Sequence, residues 1–197
     1  MKSILFTDEM VRSTLAGLKT KIRKPVKPQP DDDAKIMIGE MGSSKGVAFI
    51  GDSTSGGYVT RIVSPYGQVG DRLWVREAFT LTVPNEKPIY RATWKSSHEI
   101  KWSPSTHMPQ WASRITLEIT DIRIERLQEI TEEDAIAEGV LPCPHPLSKT
   151  DECLDCYLDA GEYACAFLNL WNRLYAKKGL GVDVNPWVWV LTFRRVK

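Results

Sequence analysis

The chain reads as an α+β protein, a mostly β barrel carrying a few helices, and three observations predict it. Short β-prone runs separated by Gly-Ser and Gly-Gly pairs fill the first half of the chain after Lys35. One long apolar alternation covers Arg114 to Leu127, and helical spacing is confined to three short stretches. Frequent turns around short strands are the pattern of hairpins in a barrel or sandwich.

Lys2 to Phe6 is predicted as the first strand. Thr7 is placed to cap the helix that follows, with Asp8 and Glu9 in its first turn where the helix dipole favours anions. Met10, Val11, Thr14 and Leu15 form its apolar stripe, and Gly17 is suited to a left-handed stop. A dense run of cations, Lys19, Lys21, Arg23, Lys24 and Lys27, begins where that helix ends. Pro25, Pro28 and Pro30 exclude helix from this segment, which is expected to be an extended surface arm.

Lys35 to Ile38, Val47 to Ile50, Tyr58 to Val63, Arg72 to Val75 and Pro88 to Thr93 are the next predicted strands. In the long run Ile115, Leu117, Ile119, Ile122 and Ile124 share a face only if the alternation slips near Thr120 and Asp121, which predicts a bulge there. Thr131 to Asp134 opens a short helix in the manner of a capping box, Glu138 lies in its last turn, and Gly139 stops it. A longer helix, about Glu162 to Lys178, carries Tyr163, Phe167, Leu170, Trp171 and Leu174 as its buried stripe and stops at Gly179. Trp187 to Arg195 closes the chain as a strand.

With 197 residues, 42% of them hydrophobic, and a formal net charge of +1, the chain can bury a core as one domain over residues 1–197. Affinity for a polyanion must come from local patches rather than overall charge. No apolar run approaches the roughly 18 residues of a membrane span, and Met1-Lys2-Ser3 leads into too few apolar residues for a signal peptide, so a cytoplasmic protein without membrane partners is expected.

Four motifs together carry a family resemblance: Gly17-x-Lys19-Thr20-x-x-Arg23, Gly70-Asp71-Arg72-Leu73-Trp74-Val75-Arg76-Glu77, the step from Leu127 to Glu138, and Asn185-Pro186-Trp187-Val188-Trp189-Val190. They resemble an ASCH domain, in particular the larger versions found in phages and prophages, with 31–56 and 141–160 as insertions. The resemblance implies a small PUA-like β-barrel with flanking helices, RNA or a modified base as ligand, and the central cleft as its site. In the small bacterial ASCH enzymes that deacetylate acetylcytidine, the pattern supplies a lysine, which falls on Lys19, and a glutamate, which falls on Glu138. Their threonine position is occupied here by Ile22. Ile22 offers no hydroxyl nucleophile, and Thr20, a neighbouring hydroxyl, is displaced by roughly 7 Å along an extended chain. Lys19 and Glu138 suit acid/base steps in hydrolysis of RNA or of a nucleoside; the competing reading is a structural ion pair.

Arg23, Lys24, Lys27 and Arg76 are candidate nucleic-acid contacts, supplying the counterion-release component of affinity, or solvated cations. Trp94, Trp102 and Trp111 fall in a polar, proline-containing stretch where exposed indoles can stack on unpaired bases, with His107 between the last two. Covering the barrel mouth is the alternative. Cys143, His145, Cys153 and Cys156 have the donor set of a structural zinc knuckle in the 141–160 insertion, against reduced thiols or a disulfide. Cys165 is expected about 200° round its helix from Tyr163. The functional expectation is a binding module for RNA or a nucleotide-type ligand; the alternatives are a hydrolase using Lys19 and Glu138, and an accessory protein-interaction module.

Overall fold

A computed structural model of the chain describes residues 1–30, 35–37, 47–51, 59–81, 87–96, 98–142 and 161–196, with the backbone alone for 35–37, 47–51 and 59–61. In chain order the elements are β1 (Lys2–Leu5), α1 (Asp8–Leu15), β2 (Lys21–Pro25), β3 (Lys35–Met37), β4 (Val47–Gly51), β5 (Val59–Val63), β6 (Arg72–Arg76), β7 (Phe79–Thr80), β8 (Ile89–Tyr90), β9 (Thr116–Arg126), α2 (Glu132–Ala137), α3 (Glu162–Tyr175) and β10 (Trp187–Arg195). The class is α+β.

A five-stranded mixed sheet, in the order β1-β6-β9-β10-β2, organises the molecule. β1 and β6 are parallel, and every other pair in it is antiparallel. β3-β4-β5 and β7-β8 form separate small sheets. Among the described residues no pairing joins β1 to β2, so the five strands form an open sheet there.

β2 was not foreseen. Residues expected to form an exposed arm instead pair with β10 from Lys21 opposite Thr192 to Pro25 opposite Val188. Its position at the sheet edge explains how Pro25 is tolerated, because an edge strand has one side with no ladder to serve.

The predicted bulge lies where the alternation slips. Thr192 faces Asp121 while Phe193 faces Ile119, so Thr120 is the extra residue. The insertion returns Ile119 and Ile122 to one face, where they pack with Leu117, Ile124, Trp189, Leu191 and Phe193. α1 contributes Val11 to this core. The opposite face of β10, Val188 and Val190, packs against α2 and α3 through Ala135, Ala164, Phe167, Leu168 and Trp171. α3 therefore buries Ala164, Cys165 and Leu168, whereas Leu174 is exposed, because the sheet meets a face rotated from the expected stripe. Cys165 lies in the interior, with Sγ accepting from Asn169 Nδ2 at 3.6 Å.

The caps follow the sequence. Thr7 Oγ1 accepts from the Met10 N–H and Thr131 Oγ1 from the Asp134 N–H. The Glu132 carboxylate spans from α2 to α3, accepting from the Tyr163 and Ala164 N–H groups at 2.9 Å each. That bond satisfies orphan donors at the start of α3 and couples the two helices.

Candidate active site

Lys19 and Glu138 meet. The Lys19 ammonium donates to Glu138 Oε2 at 2.8 Å and to the Glu138 carbonyl at 2.7 Å. Both side chains are at least 98% buried. Two caps create the meeting: α1 stops at a left-handed Gly17, sending Lys19 inward, and α2 stops at Glu138 and a left-handed Gly139. The Thr20 N–H then donates to the Ala137 carbonyl at 2.8 Å, locking the turn before β2 to the end of α2. Gly139 is also a close-approach position, since a Cβ there would lie 2.9 Å from Cβ of both Lys19 and Ser13.

Burial disfavours the ammonium of Lys19 and holds its pKa below the ordinary lysine value, although Glu138 opposes the shift by its charge and hydrogen bond. A proton on this amine is thus held less tightly than usual, a property suited to exchange with a ligand.

Glu138 has a second cationic neighbour, with Arg23 Nη1 at 3.4 Å from its Oε1. Arg23 is the centre of a larger network on the helix-facing side of β2. Its Nε donates to Glu125 at 3.0 Å, and Nη2 also bonds Asp134. Asp134 is shared with Lys21 and with Arg123 Nη2, the latter at 2.7 Å, and Arg123 Nε reaches Glu125 at 2.9 Å. Arg23, Arg123 and Glu125 fall on one face because Arg23 and Arg123 both register with Val190 in the intervening strand. Burial disfavours the charged Asp134, but hydrogen bonds from Lys21 and Arg23 and the charges of Arg23 and Arg123 prevail and keep its carboxyl below the usual carboxylate range. Burial acts against Arg23 in the same way and is outweighed by Glu138 and Glu125.

A cavity of about 550 Å³ lies beside the Lys19–Glu138 pair. Met10 and Ser13 of α1, with Ala16 at its C-terminal end, line one side, Ala166, Phe167 and Leu170 of α3 another, and Lys19, Glu138 and Gly139 complete the lining. This is within the usual range for small-molecule sites, and its lining is largely apolar with few polar groups, the composition such sites share.

The other expected site residues are placed as follows. Ile22 is fully buried against the sheet core, so no hydroxyl occupies that position. Thr20 is exposed, outside the buried pair that it borders in sequence. Arg23, expected at the rim, is internal and committed to three carboxylates. Lys24 is half-buried and Lys27 exposed. Arg76 donates to the Thr106 carbonyl and lies over Trp74, 5.4 Å from the ring centre. Trp94 and Trp102 are half-buried and meet edge to face at 6.3 Å. Trp111 is 65% exposed on a 3-10 turn, and His107 is exposed on the preceding one. Cys143, His145, Cys153 and Cys156 lie outside the described residues.

Sequence reasoning missed Glu125, Asp134 and Arg123. For Arg123 and Glu125 the signal was present as charges alternating with Ile122 and Ile124, which put them on the face opposite the core, whereas Asp134, in the first turn of α2, carried no such signal.

Comparison with known proteins finds no matching family model, no matching curated protein and no matching solved structure. Among the described residues, no helix is long and apolar enough to cross a membrane.

Proposed function

We propose that the cavity between α1 and α3 binds a nucleobase or nucleoside-type ligand, free or displayed by single-stranded RNA, and that Lys19 and Glu138 carry hydrolytic proton transfer on it. The observation that carries this reading is the meeting of Lys19 and Glu138 at the wall of a cavity of about 550 Å³. It agrees with an ASCH-type, PUA-like domain, in which those two positions are the ones the resemblance marks. The apolar walls suit the faces of a heterocycle, and the buried pair offers one donor and one acceptor for its edge.

The chemistry needs no side-chain nucleophile. Glu138 would take a proton from an attacking water while the Lys19 ammonium stabilises the oxyanion forming at an acyl carbon. Collapse of that adduct expels the amine, which receives the proton from Glu138, leaving a carboxylic acid and an amine. Ile22, packed in the core, is consistent with water rather than a threonine as the attacking group.

The test incubates purified protein with N-acylated nucleosides and with short single-stranded RNA, following products chromatographically for wild type, Lys19→Met and Glu138→Gln. Product formation that both substitutions abolish supports the reading. Turnover that survives Glu138→Gln removes the dyad, and absence of both binding and turnover removes the site. A structural zinc ion held by Cys143, His145, Cys153 and Cys156 remains a separate proposal, supported by the donor set alone. Metal content near one zinc per chain is the expected result, and content near zero ends it.

A further inference from the structure

The cavity beside Lys19 and Glu138 is larger and more apolar than a nucleobase needs. An apolar cavity of about 150 Å³ already holds a benzene ring, so a pyrimidine fills only part of the about 550 Å³ present here. The lining runs from Met10 to Ala16 on α1 and from Ala166 to Leu170 on α3, about 9 Å and about 6 Å along the two helix axes. Leu18 and Leu141 also line the cavity and are exposed, so it meets solvent beside them.

The polar side chains on this lining are mostly occupied. Ser13 Oγ donates to the Glu9 carbonyl at 2.9 Å and lies 3.2 Å from the Met10 carbonyl. Thr7 Oγ1 accepts from the Met10 N–H as the cap of α1, and Arg12 Nη1 donates to the Ala92 carbonyl at 3.2 Å. Glu9, the other charged residue there, is exposed. Away from the Lys19–Glu138 pair, the interior therefore has little to offer the hydroxyls of a sugar, whose burial without partners costs free energy. A hydrocarbon suits it better.

We infer that the space beyond the base takes an apolar acyl group of hexanoyl or benzoyl size, and that Ala166 and Leu170 set its length. The inference rests on the reading of this cavity as a site for hydrolysis of N-acylated nucleosides, and it adds the class of acyl group. The acyl carbon lies at the Lys19–Glu138 pair, the chain runs along Met10 and Phe167, and the ribose stays at the exposed edge. The bond broken is the amide C–N bond. Water gives its hydroxyl to the acyl carbon and its proton to the departing amine, so the products are an apolar carboxylic acid and the nucleoside. Ala166 and Leu170 are four residues apart on α3 and share the face that lines the cavity. The small side chain of Ala166 leaves room that a larger one would fill. Each methylene moved from water into an apolar site improves affinity by about fourfold, so selectivity for chain length follows.

The test is a series of cytidines carrying acetyl, butyryl, hexanoyl or octanoyl on the exocyclic nitrogen, together with N-phenylhexanamide, given to the whole chain as wild type, Ala166→Leu and Leu170→Ala. In wild type kcat/KM should rise with chain length, by on the order of a hundredfold from acetyl to hexanoyl. Ala166→Leu should lower the hexanoyl value by about tenfold or more and move the optimum to butyryl, and Leu170→Ala should move it to octanoyl. Calorimetric binding of the same compounds to Glu138→Gln should follow the wild-type order, which makes the acyl preference readable without turnover. Turnover of acetylcytidine with a flat or falling response to chain length overturns the acyl assignment and leaves the nucleoside reading intact. Equal binding of hexanoylcytidine and N-phenylhexanamide, without binding of acetylcytidine, supports the apolar acyl site and removes the nucleoside reading. A chain-length preference that both folded variants keep places the acyl group elsewhere and overturns the assignment, as does absence of binding by every compound.

Discussion

The two faces of β2 use positive charge in opposite ways. On the helix side Arg23 and Lys21 are matched against Asp134, Glu125 and Glu138, and each guanidinium or ammonium has a carboxylate within reach. At the turn before the strand Lys19 is paired with Glu138, whereas Lys24 on the core side makes no ion pair with a described residue. A buried cation with every donor occupied maintains register and packing, and removing it strands its partners. One that is under-compensated costs stability. The alternation of the strand thus sends cations of one short segment into different surroundings, Arg23 among carboxylates and Lys24 onto the other face in register with Trp189.

The largest expected effect comes from breaking the compensated side. Arg23→Met leaves three carboxylates buried with fewer partners and should cost about 3–5 kcal/mol, read as a lower urea midpoint. Glu138→Gln keeps the shape but weakens the charged interactions with Lys19 and Arg23 at the junction of the two sides. It should cost about 1–3 kcal/mol and leave a folded protein, in which the proposed hydrolysis should be lost. Equal destabilisation by both substitutions would erase the distinction.

The charge surplus on the core side has its own signature in pH. Lys24 is lowered to about 8 when folded against an ordinary value of 10.5, so the unfolded chain binds more protons between those values and stability should rise with pH from about 8. Lys19 is shifted in the same direction. The rise ends near the ordinary tyrosine range, because Tyr66 is raised to about 12 and the unfolded chain there loses the phenolic proton first. Urea midpoints at pH 7.5, 8.5 and 9.5 should increase in wild type and flatten in Lys24→Met. On the carboxylate side Asp134 is lowered in the folded state, so its contribution is lost as pH falls through the acid range.

The smallest effect on stability belongs to Trp111. Its exposed ring packs little, and Trp111→Ala should change stability by no more than about 0.5 kcal/mol. If the ring stacks on a base, the same substitution should weaken binding of single-stranded RNA by about 1–3 kcal/mol, measured by mobility shift. An unchanged shift removes Trp111 from the interface.

Local rules were legible where a single strand or helix determines the outcome. Thr7, Gly17, Thr131 and Gly139 cap as their residue types dictate, and the slip at Thr120 was visible because apolar spacing cannot change face without an extra residue. β2 was hidden because three prolines and five cations look like a solvated arm. Only the long-range pairing with β10 and the carboxylates brought by β9 and α2 turn that segment inward. The same contacts moved Arg23 from an expected phosphate contact into the interior. The meeting of Lys19 with Glu138, 119 residues later, was suggested by resemblance; its setting beside a cavity needed α1 and α3 to be brought to the same side of it by long-range packing.

The central claim is that this cavity is the ligand site, and filling it tests the claim most directly. Leu170 lines the cavity and is half-buried, outside the carboxylate network. Titration of wild type and Leu170→Trp with cytidine and an N-acylated nucleoside should show saturable binding in wild type and its loss in the variant, with the urea midpoint little changed. Saturable binding of equal strength by a folded Leu170→Trp protein would place the site elsewhere and contradict the account.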